Sequence, residues 1–142
     1  VAFEPSHQYE HSLEVHLPFL QTVLGEFSII PVVVGDATPQ AVAILLETLW
    51  DGPQTLIVVS SDLSHYLDYD TARAQDETTC RRIEQLDTRI DHDDACGATP
   101  LRGLLLAAKR RGMQVRTLDL RNSGDTGGDR DFVVGYGAWL LA

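Results

Sequence analysis

Asp62 and His65 stand three residues apart in the stretch Gln54-Thr-Leu-Ile-Val-Val-Ser-Ser-Asp-Leu-Ser-His-Tyr66. A carboxylate beside an imidazole fixes the ring tautomer and raises its basicity. Such a pair suits a group that moves a proton. The plainer alternative is a loop closed by Ser and Asp hydrogen bonds, with Ser60, Ser61 and Ser64 close by. Cys96-Gly97 precedes a helix start at Thr99-Pro100. The dipole and free amides of a helix N-terminus stabilise a thiolate, the form that binds a metal or attacks an electrophile. Cys96 can equally be an ordinary small loop residue. Cys80 falls within a polar helix and reads as structural. Glu10 and His11 put another carboxylate beside an imidazole, at the entrance of an N-terminal helix. His11 and His16 are five apart, which is not the spacing that binds zinc on one helix face. No GxxxxGK[ST] or GxSxG pattern occurs, so phosphate binding and a serine-hydrolase elbow have no support.

These side chains need elements to hold them. Leu13, Leu17, Leu20 and Leu24 form one helical stripe over residues 9–24, which Pro18 must kink or divide. Ser6 is its candidate N-cap and Gly25 its stop. Phe27 to Val34 reads as a strand, with Pro31 suggesting an edge or a bulge. Thr38-Pro39 starts a helix over about 40–50 with Ala41, Ile44, Leu45 and Leu49 inward. Leu56 to Val59 is an unbroken apolar run, the pattern of a strand buried on both faces in a parallel sheet. Ser60 to His65 would then sit just past its carboxyl end, where open α/β sheets bind ligands. A polar helix spans Asp70 to Leu86. Another spans Leu101 to Arg111, with Leu101, Leu104, Leu105 and Ala108 inward and Gly112 as its stop. Strands follow at Met113–Leu120 and Phe132–Leu141, joined by a glycine-rich loop. The expected fold is a single layered α/β domain over 1–142, with a mainly parallel sheet, helices on both faces and an antiparallel C-terminal hairpin.

The chain has 142 residues, enough for a real core, and is 44% hydrophobic, which argues against disorder. Its net charge of −10 disfavours nucleic acid and anionic membrane as partners, since both favour a basic face. No apolar run approaches the roughly 18 residues of a membrane span, and no signal-peptide pattern opens the chain. A cytoplasmic setting with reduced thiols is expected. The start at Val1-Ala2-Phe3 lacks Met, as in a processed protein or a domain cut from a longer one.

Four segments together resemble the Memo family, known in prokaryotes as AmmeMemoRadiSam system protein B. They are Tyr9-Glu-His-Ser-Leu-Glu-Val-His-Leu-Pro-Phe19, Ser60-Ser-Asp-Leu-Ser-His65, Ala95-Cys-Gly97, and Asn122-Ser-Gly-Asp125 with Val134-Gly-Tyr136. The resemblance implies a fold like that of class III extradiol (LigB-type) dioxygenases, which hold non-haem Fe(II) at the end of an α/β sheet. In the Memo family a Cys replaces the carboxylate ligand beside two His ligands. By this resemblance Cys96 is the metal ligand. Asp62 and His65 line the site, with His65 as acid/base, and Glu10 and His11 are neighbouring pocket residues. The family's two ligand histidines lie in Pro-His-Ala-Gly and Pro-Ser-His-His motifs, which are absent here. The resemblance therefore covers only the family's C-terminal half, part of a larger LigB-like domain. One thiolate and one histidine leave a three-ligand site incomplete. A half-domain also leaves a sheet edge bare, so self-association or a missing N-terminal half is expected.

Three functions follow as expectations. The first is a non-haem metal pocket acting on a small-molecule substrate, with Fe(II) or another transition metal. The second is a non-catalytic binding or scaffold protein that retains the fold. The third is a metal-free hydrolase using Asp62, His65 and Cys96.

Overall fold

The structure is a computed structural model that describes residues 4–142, so the Val1-Ala2-Phe3 start lies outside the described residues. The chain divides into two compact units, one ending at Gly35 and one spanning Asp36–Ala142.

In the first unit, 3-10 turns at Glu4–Ser6 and Glu14–His16 precede helix α1, Leu17–Val23. Pro18 occupies the first turn of α1. There the missing N–H is not needed, so the proline starts a helix where a kink or a division had been expected. Ser6 closes a 3-10 turn and caps no α-helix. The helix ends at the extended Leu24, before Gly25. The expected strand at 27–34 is not formed among the described residues. Ile29 and Ile30 are exposed, and Pro31 has no amide to offer a ladder.

In the second unit, Thr38 caps α2, Pro39–Leu49, by accepting from the Ala41 amide at 3.2 Å. Its buried residues are Val42 and Ala43, whereas Ile44 and Leu45 are exposed, so the inward face is rotated from the expected one. The reason is Gly103 on α4, Ala98–Arg110: a Cβ there would lie 2.3 Å from Val42 Cγ1. The α2 backbone settles onto the glycine and carries Val42 inward with it. Leu101, Leu104, Leu105 and Ala108 of α4 are buried as the periodicity predicts. Helix α3, Tyr69–Glu84, is capped by the Asp68 carboxylate on the Thr71 amide.

The sheet has three strands, in the order β1 (His65–Leu67), β3 (Val133–Leu141), β2 (Val115–Asn122). Both pairings are antiparallel. The C-terminal hairpin is therefore present as expected, while a mainly parallel sheet is not formed among the described residues. The segment 55–60 forms no ladder among the described residues. Leu56 and Val58 are exposed while Ile57 and Val59 are partly covered, so this run has one open face. The central position goes to β3, which pairs with β2 through the hairpin and with β1 on its other edge. Strand β1 forms inside what the sequence reads as polar loop. It carries a register irregularity between His65 and Leu67, with Tyr66 at φ 59°. The core gathers Leu63, Ile83, Ile90, Ala95, Ala98, Leu101 and Leu105.

Candidate metal centre

The loop before β1 is fixed by its buried middle. Leu63 and Ser64 are buried. The Leu63 amide donates to Gly135 O at 2.8 Å, and the Gly135 amide donates to Ser64 O at 2.9 Å. The Ser64 amide donates to Asp76 Oδ1 on α3 at 3.0 Å. With two adjacent residues held inward, Asp62 and His65 on either side are left at the surface of this unit. Their side chains face each other, with His65 Nε2 3.7 Å from Asp62 Oδ2.

Cys96 reaches the same place from the turn before α4. Asp91 builds that turn by accepting the Asp93 and Asp94 amides on its side chain and the Asp94 and Ala95 amides on its carbonyl. The Arg82–Asp94 ion pair at 2.7 Å ties it to α3. A reciprocal pair then joins the two loops: the Cys96 amide donates to Asp62 O at 3.2 Å, and the Asp62 amide donates to Cys96 Sγ at 3.2 Å. Ser61 Oγ donates to Asp62 O at 2.7 Å and accepts from the Gly97 amide at 2.8 Å. The approach at Gly97 is close, since a Cβ there would meet Ser60 O at 2.7 Å. Any larger residue at position 97 would push the two loops apart.

The result is one nitrogen, one oxygen and one sulfur donor, from His65, Asp62 and Cys96, all within 4.8 Å of one another. Tetrahedral zinc with bonds of about 2.0–2.3 Å keeps its ligand atoms about 3.3–3.7 Å apart. The His65–Asp62 separation already meets that, and a side-chain adjustment closes the rest. Three protein donors leave a fourth position open, the pattern of catalytic metal sites. The donor set therefore fits a transition-metal ion, with the thiolate favouring a softer metal over Mg²⁺ or Ca²⁺.

Tyr66 sits beside this corner. It is exposed, and its ring centroid lies 5.8 Å from that of His65. A tyrosine at positive φ is strained, and such strain clusters at functional sites.

Glu10 and His11 belong to the first unit and are engaged locally. Glu10 accepts the Ser12 amide at 2.8 Å, which holds its carboxyl below the usual range. His11 Nδ1 meets Glu14 Oε1 at 2.7 Å, and that hydrogen bond pushes the imidazole above its usual value. Both Cys80 and Cys96 are free thiols. Cys80 is buried, with its sulfur 3.2 Å from Thr117 Oγ1, in keeping with a structural role.

Two contributors escaped the sequence reading, Ser61 as a clamp and Asp76 as an anchor. Asp76 could have been found. The buried stripe of α3 runs Ala72, Asp76, Thr79, Cys80, Ile83, so the helical period itself carries this carboxylate inward.

The family model of Memo-like proteins matches residues 3–140 of this chain. A MEMO1 family protein of Metallosphaera sedula is 36% identical over 146 aligned residues, covering 94% of this chain and 52% of that protein. One from Sulfolobus acidocaldarius is 37% identical, covering 94% of this chain and 51% of that protein. The chain spans about half the length of the curated relatives it matches.

Proposed function

We propose, for a chain that belongs to the Memo-like protein family, that Asp62, His65 and Cys96 form a metal-binding face. The observation that carries this reading is the convergence of their three unlike donor atoms within 4.8 Å. Cys96 anchors the ion, and Asp62 and His65 supply the oxygen and nitrogen donors. A bound metal would polarise a substrate oxygen as a Lewis acid. The chain's own part is to orient that position. The Asp62 amide aims the sulfur, and the Asp62 carboxylate faces the His65 ring. In the longer protein we read this face as one wall of a non-haem pocket like that of LigB-type extradiol dioxygenases. Fe(II) would be the metal and a small molecule the substrate. There His65 carries a proton once other ligands complete the coordination. A reducing, cytoplasmic setting belongs with this reading, because a thiol that ligates metal must stay unoxidised.

The test is equilibrium dialysis of this chain against zinc, with bound metal then counted. One equivalent per chain is expected, and none would overturn the metal-binding face.

The reading also carries a partner. Among the described residues, segments 27–34 and 55–60 expose Ile29, Ile30, Leu56 and Val58 and make no ladder. Each accepts a neighbouring strand, from an N-terminal half or from a second copy of the chain. Light scattering on this chain alone is expected to show self-association. A monomer at high concentration would count against an open pairing edge.

A further inference from the structure

Asp76 is a charged residue without a charged partner. It is 2% exposed, on the inward stripe of α3. Its Oδ1 accepts the Ser64 amide. The buried Ser64 hydroxyl has no hydrogen-bond partner among the described residues. Among the described residues no cation pairs with Asp76: Arg73 turns to Glu77 at 3.1 Å, and Arg121 turns to Asp119 at 2.7 Å. Its place is nonetheless tightly defined, because Gly135 leaves no room on the opposite side. A Cβ at 135 would collide with both carboxylate oxygens.

A buried, unpaired carboxylate is costly and persists when something positive compensates it. The groups around Asp76 point to what that is. Burial pushes its carboxyl above the usual range, while the Ser64 backbone N–H pulls the other way. That N–H belongs to the residue next to His65, so the carboxylate holds the backbone of the metal corner directly.

We propose that Asp76 is a positioning residue of the metal centre, which fixes the Asp62–His65 loop through the Ser64 amide and supplies buried negative charge beneath a cation bound there. This inference rests on the metal-binding reading and adds a residue to it. The contribution is electrostatic, so it acts without direct ligation and across protein of low effective dielectric. Nothing in this role requires Asp76 to touch substrate.

The test compares zinc affinity, measured by chelator competition, with the thermal midpoint of the zinc-free chain. The variants are Asp76→Asn and Ser64→Ala. Asparagine keeps the size of the side chain and its acceptor for the Ser64 amide but removes the charge. About tenfold weaker zinc binding is expected, with an unchanged or raised midpoint in the zinc-free chain. Ser64→Ala keeps the charge and should hold affinity within about twofold of the parent chain. Unchanged affinity in Asp76→Asn would overturn the proposal. So would an equal loss in Ser64→Ala, or a loss matched by collapse of the zinc-free midpoint, because each makes packing the cause. A parent chain that binds no zinc would defeat the metal reading and this inference together. Equal binding by the parent chain and Asp76→Asn would defeat this inference alone.

Discussion

Cys96→Ala lowers the zinc affinity of this chain by at least about a hundredfold. Four-ligand structural zinc sites bind with about 10–16 kcal/mol, so one ligand is worth on the order of 3 kcal/mol, or about two powers of ten. Cys96 should exceed the average. It carries the one sulfur of the donor set and sits on a loop held by reciprocal hydrogen bonds with Asp62. The metal-free fold should change far less, because Cys96 is exposed and its backbone bond to Asp62 survives the substitution. Cys80→Ala provides the contrast. It removes a buried sulfur beside Thr117, so it should cost stability and leave zinc affinity intact. If both variants bind zinc as the parent chain does, Cys96 is not a ligand. A metal-free hydrolase built on the same residues would then become the better reading.

The second large effect is structural. Gly135→Ala destabilises the chain by about 2–6 kcal/mol. Its Cβ would lie in the space of the Asp76 carboxylate, 2.6 Å from Cγ and 2.7 Å from Oδ1. The strand cannot retreat, since the Gly135 amide and carbonyl are committed to Ser64 and Leu63. Overpacking costs about 1–3 kcal/mol, and displacing Asp76 leaves the buried Ser64 amide unsatisfied for about another 1–3 kcal/mol. Against a typical domain stability of about 5–15 kcal/mol this is a large fraction. Urea denaturation measures it, with Gly25→Ala as the control because nothing lies within 4 Å of a Cβ at that position. A cost below about 0.5 kcal/mol would show that Asp76 is not held as described. The same substitution should also loosen zinc binding, because the displaced carboxylate no longer fixes the Asp62–His65 loop.

Much of this site is legible in the sequence. Asp62 and His65 announce themselves by type and spacing, and Cys96 by its place before a helix start. The structure brings all three together. Helix α4 and the hairpin of β2 and β3 follow directly from apolar periodicity and glycine stops. What was not legible has specific causes. The run at 56–59 is apolar at every position, so periodicity cannot show that Leu56 and Val58 face outward. In α2 the sequence Ala41-Val-Ala-Ile-Leu-Leu46 offers an apolar residue on every face. Only its packing partner, Gly103, selects Val42 and Ala43. Strand β1 is three residues long with a strained Tyr66 in its middle, which propensity does not anticipate. Asp76 was hidden because a carboxylate in a polar helix reads as solvated until its stripe is traced inward.

X-ray absorption at the zinc edge of the loaded chain tests the central claim most directly. One sulfur scatterer at about 2.3 Å, with the remaining shell nitrogen and oxygen at about 2.0–2.2 Å, is the predicted result. A first shell of nitrogen and oxygen alone would place the metal away from Cys96 and contradict the account.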